Sequence, residues 1–227
     1  MSEKERVKFS ILNPFLIVLA IWIVFYFDFN YKLNLSEFGI YPRNISSLPG
    51  IILHFFIHAN FHHVLSNTFS LLVLLLLLFV FYETIALSVF VFSLIMSGTG
   101  VWLFGRSLHN GSGIVHVGSS TVIFALFGFL LLSGLLRKNR HAMALSGLVI
   151  FLYGYFVWGL FPIQPEVSWE GHISGLVSGC VLALLYRKKG PQANIYKLLD
   201  DDDLDALPEE QKFWIQTNDE NPEKQND

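Results

Sequence analysis

The segment Val64–Tyr82, VLSNTFSLLVLLLLLFVFY, decides the fold because it contains no charged residue over 19 positions. Its length is close to the ~20 apolar residues that an α-helix needs to cross a bilayer. A strand of a membrane β-barrel would be about ten residues long and would alternate apolar with polar positions, which this run does not do. The segment therefore predicts a membrane-spanning helix.

Similar apolar stretches recur along the chain, and Glu170 is the only charged residue in any of them. The other five are Phe9–Phe27, Thr84–Phe104, Gly118–Leu136, Ala142–Phe161 and Trp169–Tyr186. Only 15% of the 227 residues are charged, against about 25% in a soluble domain. Cys180 is the only cysteine, which excludes a disulfide-stapled secreted module. The sequence predicts an all-α membrane protein, a bundle of six transmembrane helices.

The basic residues between the spans predict the orientation. Nine lie on the side of the N-terminus and three on the other: Lys4, Arg6, Lys8, Arg137, Lys138, Arg140, Arg187, Lys188 and Lys189, against Lys32, Arg43 and Arg106. Cytoplasmic loops carry the excess of Lys and Arg, so both termini are predicted to be cytoplasmic. No organellar targeting signal is evident, and we expect a multi-pass protein of the plasma (cell inner) membrane.

The chain divides into residues 1–8 as a cytoplasmic N-terminus, 9–189 as the membrane domain and 190–227 as a tail. The tail holds eleven acidic residues and three lysines, and this polar, acidic composition predicts a disordered cytoplasmic extension, whose partner stays open. Neither the tail nor the rest of the chain has the dense basic patch that a nucleic-acid partner would need.

Polar clusters begin spans two, four and six, and polar residues inside spans are functional candidates because they are costly in lipid. The first contains His58, His63 and Asn67, with His63 and Asn67 on one helix face. Helix–helix hydrogen bonding is an equally good interpretation of this cluster taken alone.

The second cluster, Gly118-Ser119-Ser120, begins span four. A serine at a helix N-terminus can attack a carbonyl while unpaired N–H groups receive the developing oxyanion. Serine is also a favoured N-cap residue, which is the simpler interpretation of this motif alone.

The third cluster places His172 in the first turn of span six, on one stripe with Gly175 and Gly179. Small residues four apart favour close helix contact. If the glycines pack against the face of span four that carries Ser120, the imidazole and the hydroxyl meet at similar depth. A lone packing histidine is the alternative.

The clusters are stronger together, because spans two, four and six all run from outside to inside. Ser120 and His172 would each lie about 3–5 Å below the outer end of its span, at 1.5 Å per residue. The spacing thus predicts one site that water reaches from the outer side.

In this combination the motifs His58-x4-His63-x3-Asn67, Gly118-Ser119-Ser120 and His172-x2-Gly175-x3-Gly179 resemble those of the rhomboid family of intramembrane serine proteases. The resemblance covers roughly residues 9–187. It implies a rhomboid-like six-helix bundle that cuts transmembrane segments of other membrane proteins near the outer face, without metal or cofactor.

The resemblance also implies the role of each site residue. Ser120 would be the nucleophile and His172 the general base. His63 and Asn67 match oxyanion-stabilising positions, and Gly118 would allow the backbone to approach closely at the same oxyanion site. His58 would brace the outer loop.

The sequence departs from the family at three places. Thr121 stands where the family often has Gly, Phe124 stands where it often has Tyr, and Tyr41-Pro42-Arg43 is the nearest feature to the common Trp-Arg pair of the outer loop. The first two departures motivate one alternative, a non-catalytic rhomboid-like binder of membrane proteins. The seven histidines predicted on the outer side motivate another, a metal-dependent membrane hydrolase or transporter.

Overall fold

The computed structural model describes residues 3–107, 114–137, 140–163 and 168–190. Seven α-helices occur in these ranges: α1 Glu3–Tyr31, α2 Gly50–Leu53, α3 Phe61–Phe81, α4 Glu83–Phe104, α5 Ser120–Arg137, α6 Arg140–Tyr153 and α7 Trp169–Leu185. Three 3-10 helices complete the described secondary structure: Leu35–Phe38, Ile45–Ser47 and Gly154–Leu160.

Among the described residues, five helical segments are long and apolar enough to cross a membrane: Lys4–Tyr31, Phe61–Phe81, Glu83–Phe104, Ser120–Arg137 and Arg140–Leu160. Helix α7 is apolar as well, but at 17 residues it is shorter than these five. The prediction of an all-helical, multi-pass membrane bundle is confirmed. The orientation stays a prediction, and the predicted disordered tail lies outside the described residues from 191 onward.

Two spans differ most from prediction, one in its length and one in its helix type, and the boundaries of the other four agree to within three residues. Helix α1 runs from Glu3 to Tyr31 and so extends beyond Phe9–Phe27 at both ends, since a helix continues past the apolar stretch into polar residues. The fifth span changes at Tyr153 from an α-helix to the 3-10 segment Gly154–Leu160. Glycine is a poor helix former, and this segment contains two, Gly154 and Gly159.

Helix α5 is the central element of the membrane domain. In its most apolar window 72% of the residues are buried, against 28–39% in the other four long spans. Its most extensive contacts are with α7, followed by those with α6, α3 and α4. Residues at the start of α5 are therefore surrounded by other helices, which suits a site enclosed within the bundle.

Glycines bring α5 and α7 into close contact. A Cβ atom at Gly175 would overlap the Thr121 carbonyl oxygen, and one at Gly179 would overlap that of Ala125. From the other side, a Cβ atom at Gly128 of α5 would lie 2.7 Å from the Leu176 carbonyl oxygen. The glycine stripe of the sixth span thus packs against the predicted face of the fourth.

Arg43 binds the segment between α1 and α3 to the end of α4. Its guanidinium donates to the carbonyl oxygens of Leu103 and Gly105, each at 3.0 Å. The Trp102 indole N–H in turn donates to the Asn44 carbonyl at 2.9 Å. Because the last carbonyls of a helix have no intrahelical donor, Arg43 caps α4, which gives the Tyr41-Pro42-Arg43 motif a structural role.

Candidate active site

Ser120 is the first residue of α5, and a tight turn delivers it. Gly118 has φ = +109°, a backbone conformation that favours glycine. The Gly118 N–H donates to the His54 carbonyl oxygen at 2.8 Å. This N–H is therefore not available to an oxyanion, and Gly118 contributes the tight turn and the absence of a side chain. The N–H groups of the first turn of α5, which have no acceptor within the helix, point away from the helix along its axis.

One cavity of about 350 Å³ brings the two predicted catalytic residues together. Ser120 lines it from the start of α5, and His172 lines it from the first turn of α7. The other lining residues come from α3, α5 and the segment after α6: Ser66, Asn67, Ser70, Ile123, Phe124, Tyr155, Phe156, Trp158, Gly159, Phe161 and Ile163.

The His172 ring is buried, with 8% of the residue exposed, and is held on two sides. Its Nδ1 lies 2.8 Å from the Gly159 carbonyl oxygen. A carbonyl can only accept, so Nδ1 carries the proton and Nε2 of the neutral ring keeps its lone pair. The imidazole is thus prepared to accept a proton at Nε2, with a carbonyl oxygen in the place where many serine proteases have a carboxylate.

Phe124 holds the face of the imidazole. The rings of Phe124 and His172 are stacked, with centroids 4.1 Å apart and planes 9° apart. Phe156 stacks on the other face of Phe124 at 4.9 Å and 22°. Phe124 therefore stacks on His172 although it lacks a tyrosine hydroxyl, and this three-ring stack limits rotation of the His172 ring.

Asn67 and His63 lie beside the Gly118 turn. Asn67 lines the cavity, and one N–H of its amide donates to His58 Nε2 at 3.2 Å, which leaves its second N–H for another acceptor. A Cβ atom at Gly118 would lie 2.7 Å from His63 Nε2. Only glycine leaves room for the His63 ring here, although His63 does not itself line the cavity.

His54 is one of the seven histidines predicted on the outer side, and its contacts could not be inferred from the sequence. Its Nδ1 donates to the Gly50 carbonyl at 3.0 Å, and its Nε2 lies 2.8 Å from Thr121 Oγ1. His58 Nε2 also accepts from the Ser119 N–H at 3.4 Å. Burial lowers the pKa of His54 to about 4 and that of His58 to about 3, so both rings are neutral at pH 7.

Hydrogen bonds of Ser168 fix the start of α7. Ser168 caps the helix by accepting from the Gly171 N–H at 3.2 Å, and its hydroxyl lies 2.7 Å from His116 Nδ1. Glu170 forms an ion pair with Arg106, which accounts for the one charged residue found in the predicted spans. Both nitrogens of His116, like those of His54, are hydrogen-bonded.

These hydrogen bonds leave few histidine nitrogens for a metal. In the described ranges no group of three or more His, Cys, Asp or Glu side chains is arranged to hold one. Both ring nitrogens of His54 and of His116 are thus engaged in hydrogen bonds, and the groups that line or adjoin the cavity include a serine, a histidine and nearby N–H donors.

Comparison with known proteins identifies sequences that are related to this chain. The family model of the Rhomboid domain matches residues 46–189. An uncharacterized protein of Mycobacterium tuberculosis is 37% identical over 155 residues, which cover 65% of this chain and 62% of the relative. The chain thus spans about three-fifths of the length of that relative.

Two further relatives carry descriptive names. A protein of Acanthamoeba polyphaga mimivirus named a putative rhomboid protein is 30% identical over 178 residues, covering 75% of this chain and 88% of the relative. A protein of Bacillus subtilis named a putative rhomboid protease is 30% identical over 142 residues, covering 61% and 67%. The residues matched by the family model, 46–189, include every candidate site residue from His58 to His172.

Proposed function

We propose that this chain, which belongs to the rhomboid family, is an intramembrane serine endopeptidase. Its substrates are transmembrane segments of other membrane proteins, cut near the outer face. The observation that carries the proposal is that Ser120 and His172 line one cavity while the Gly159 carbonyl holds His172 Nδ1–H and leaves Nε2 as the base.

In the first half of the reaction, His172 Nε2 takes the hydroxyl proton as Ser120 Oγ attacks the peptide carbonyl carbon. The C–N bond then breaks, and the imidazolium returns that proton to the leaving amine. Water attacks the acyl-enzyme ester in the second half, with Nε2 taking its proton and giving it back to Ser120 Oγ. No protein group besides Ser120 and His172 changes its protonation state during the cycle.

The negative oxygen of each tetrahedral intermediate needs donors. The second N–H of Asn67, the His63 ring and the N–H groups at the start of α5 are the candidates beside Ser120. Removing one such donor typically costs about 3–4 kcal/mol in the transition state. We therefore assign oxyanion stabilisation to Asn67 and His63, with Gly118 providing the close approach between the turn and the His63 ring.

The cavity walls suit a partly unwound transmembrane segment. On one side are the hydroxyls of Ser66 and Ser70 in α3, and on the other are aromatic residues of the segment after α6, including Tyr155 and Trp158. Polar groups can bind peptide N–H and C=O groups that an unwound segment exposes in lipid. We propose entry between α3 and that segment, in the plasma membrane, without metal or cofactor.

Reconstitution in liposomes with a tagged single-span substrate tests the proposal. We expect a cleaved product with the wild type and none with Ser120→Ala or His172→Ala, while Ser46→Ala, which removes an exposed hydroxyl outside the cavity, retains cleavage. A chelator should leave the rate unchanged. Cleavage by Ser120→Ala at the wild-type rate would overturn the assignment.

The same assay distinguishes a non-catalytic binder, which would capture the substrate with or without Ser120 and give no product. The two departures that motivated this alternative do not obstruct the cavity. Thr121 is buried against His54 and does not line the cavity, and Phe124 stacks on His172. The protease is thus the function that the geometry supports best.

A further inference from the structure

Thr121 directly follows the proposed nucleophile, and its hydroxyl makes a buried hydrogen bond. Thr121 is 4% exposed and His54 is 1% exposed. Their Oγ1 and Nε2 atoms are 2.8 Å apart, although the residues are 67 positions apart in the sequence. A buried polar pair of this kind is costly to break, because the partner left behind loses its hydrogen bond without regaining water.

The direction of this bond follows from the second nitrogen of His54. Nδ1 lies 3.0 Å from the Gly50 carbonyl oxygen, which can only accept, so Nδ1 carries the proton and Nε2 is the acceptor. The Thr121 hydroxyl is therefore the donor. Helix α4 supports the ring from behind, since a Cβ atom at Gly98 would lie 3.1 Å from His54 Cε1.

The residue on the other side of Ser120 is also held by a histidine. The Ser119 N–H donates to His58 Nε2 at 3.4 Å, and His58 follows His54 by four positions. Ser120 thus sits between two neighbours that are each bonded to a buried, neutral imidazole, while its own side chain lines the cavity.

Thr121 also touches the helix that carries the proposed base. Its carbonyl oxygen packs against Gly175, and a Cβ atom at Gly171 would lie 3.0 Å from Thr121 Cγ2. Gly171 directly precedes His172. A rotation of the first turn of α5 would therefore change both the direction of the Ser120 hydroxyl and the contact with the first turn of α7.

We propose that Thr121 and His54 form a positioning pair that fixes the rotation of the first turn of α5, so that the Ser120 hydroxyl faces His172 Nε2. This inference rests on the proposed protease function. Thr121 touches neither substrate nor the reacting atoms in this role. It acts through Ser120, and the part of the side chain that matters is the hydroxyl.

Thr121→Val and Thr121→Ser separate the hydroxyl from the shape of the side chain. Valine keeps the volume and removes the donor, whereas serine keeps the donor and removes a methyl group. We expect Thr121→Val to lower the rate of labelling by a fluorophosphonate about tenfold, and Thr121→Ser to stay within about threefold of wild type. In substrate cleavage the loss should fall on kcat, with KM within about twofold.

A double-mutant cycle tests whether the two residues act together. In a His54→Leu background, Thr121→Val should cause no further loss, because the acceptor is already gone. Independent, multiplicative losses would overturn the pairing. Thermal unfolding of each variant identifies those that do not fold, and Thr121→Ala replaces Thr121→Val if the latter fails.

Nitrogen NMR of histidine-labelled protein reads the bond without using activity. The His54 Nε2 resonance should move in Thr121→Val and stay near its wild-type position in Thr121→Ser. An unmoved resonance, or a folded Thr121→Val that labels at the wild-type rate, would contradict the inference. If wild type itself is never labelled, the protease proposal fails, and the resonance still reports whether the bond exists.

Discussion

Replacing Gly179 by alanine probes the contact that sets the position of His172. The added Cβ would overlap the Ala125 carbonyl oxygen and lie 2.8 Å from the Phe129 nitrogen. Both are backbone atoms, so no side chain can rotate away. Restoring ordinary contact distances of about 3.5 Å requires α5 and α7 to move apart by about 1–2 Å.

Two opposing effects set the magnitude. Overpacking of a close contact typically costs about 1–3 kcal/mol, and alanine returns up to about 1 kcal/mol through its better helix preference. We expect Gly179→Ala to be less stable by about 1–2 kcal/mol. Because a misplacement of about 1 Å can cost about a hundredfold in rate, fluorophosphonate labelling should fall by more than the stability change alone would cause.

Gly147→Ala in α6 is the matched control, since a Cβ atom there meets nothing within 4 Å. It receives the same helix-preference gain without the overlap, so it should be neutral or slightly stabilising and should label at the wild-type rate. Thermal unfolding in detergent and labelling rates are measured for both. Equal effects of the two substitutions would refute the reasoning about the α5–α7 contact.

Three further outcomes follow from the site and its surroundings. Phe124→Leu removes a ring stack worth about 0.5–1.5 kcal/mol, so the rate of fluorophosphonate labelling should fall about 2- to 12-fold. Phe124→Tyr keeps the ring and should label near the wild-type rate. An equal fall in labelling rate for the two variants would exclude stacking as the cause. The free energy of unfolding should fall as the pH is lowered from 7 to 4, because the pKa of His54 is about 4 in the folded protein and about 6.5 in the unfolded chain. The unfolded state therefore binds more protons in that range. His54→Gln should reduce this loss of stability by up to about 3 kcal/mol, and an unchanged pH dependence would contradict the assignment. Arg43→Ala removes the donors to the Leu103 and Gly105 carbonyl oxygens and should lower the free energy of unfolding by about 1–3 kcal/mol. A melting temperature equal to that of the wild type would disprove this.

The membrane-spanning helices and the close contact between α5 and α7 could be predicted because their signals are local. An uncharged run such as Val64–Tyr82 has few other stable environments than lipid. The glycines that follow His172 at four-residue spacing predict a close helix contact, and α5 is the helix that makes it. Both signals depend on short stretches of sequence and not on the tertiary arrangement.

The contacts that orient the site could not be predicted in the same way. The hydrogen bonds from His172 to Gly159 and from Thr121 to His54 join residues 13 and 67 positions apart, and any carbonyl or hydroxyl of the outer loops could have filled those places. The change to a 3-10 helix after Tyr153 brings the Gly159 carbonyl to the imidazole. Nothing in the apolar pattern of the fifth span indicated that change.

Peptide mapping of fluorophosphonate-labelled protein by mass spectrometry tests the central claim most directly. We expect one adduct, on Ser120, in the wild type, and its loss in His172→Ala while the fold is retained. An adduct on another serine such as Ser119, or undiminished labelling of Ser120 in His172→Ala, would contradict the assignment of Ser120 as the nucleophile activated by His172.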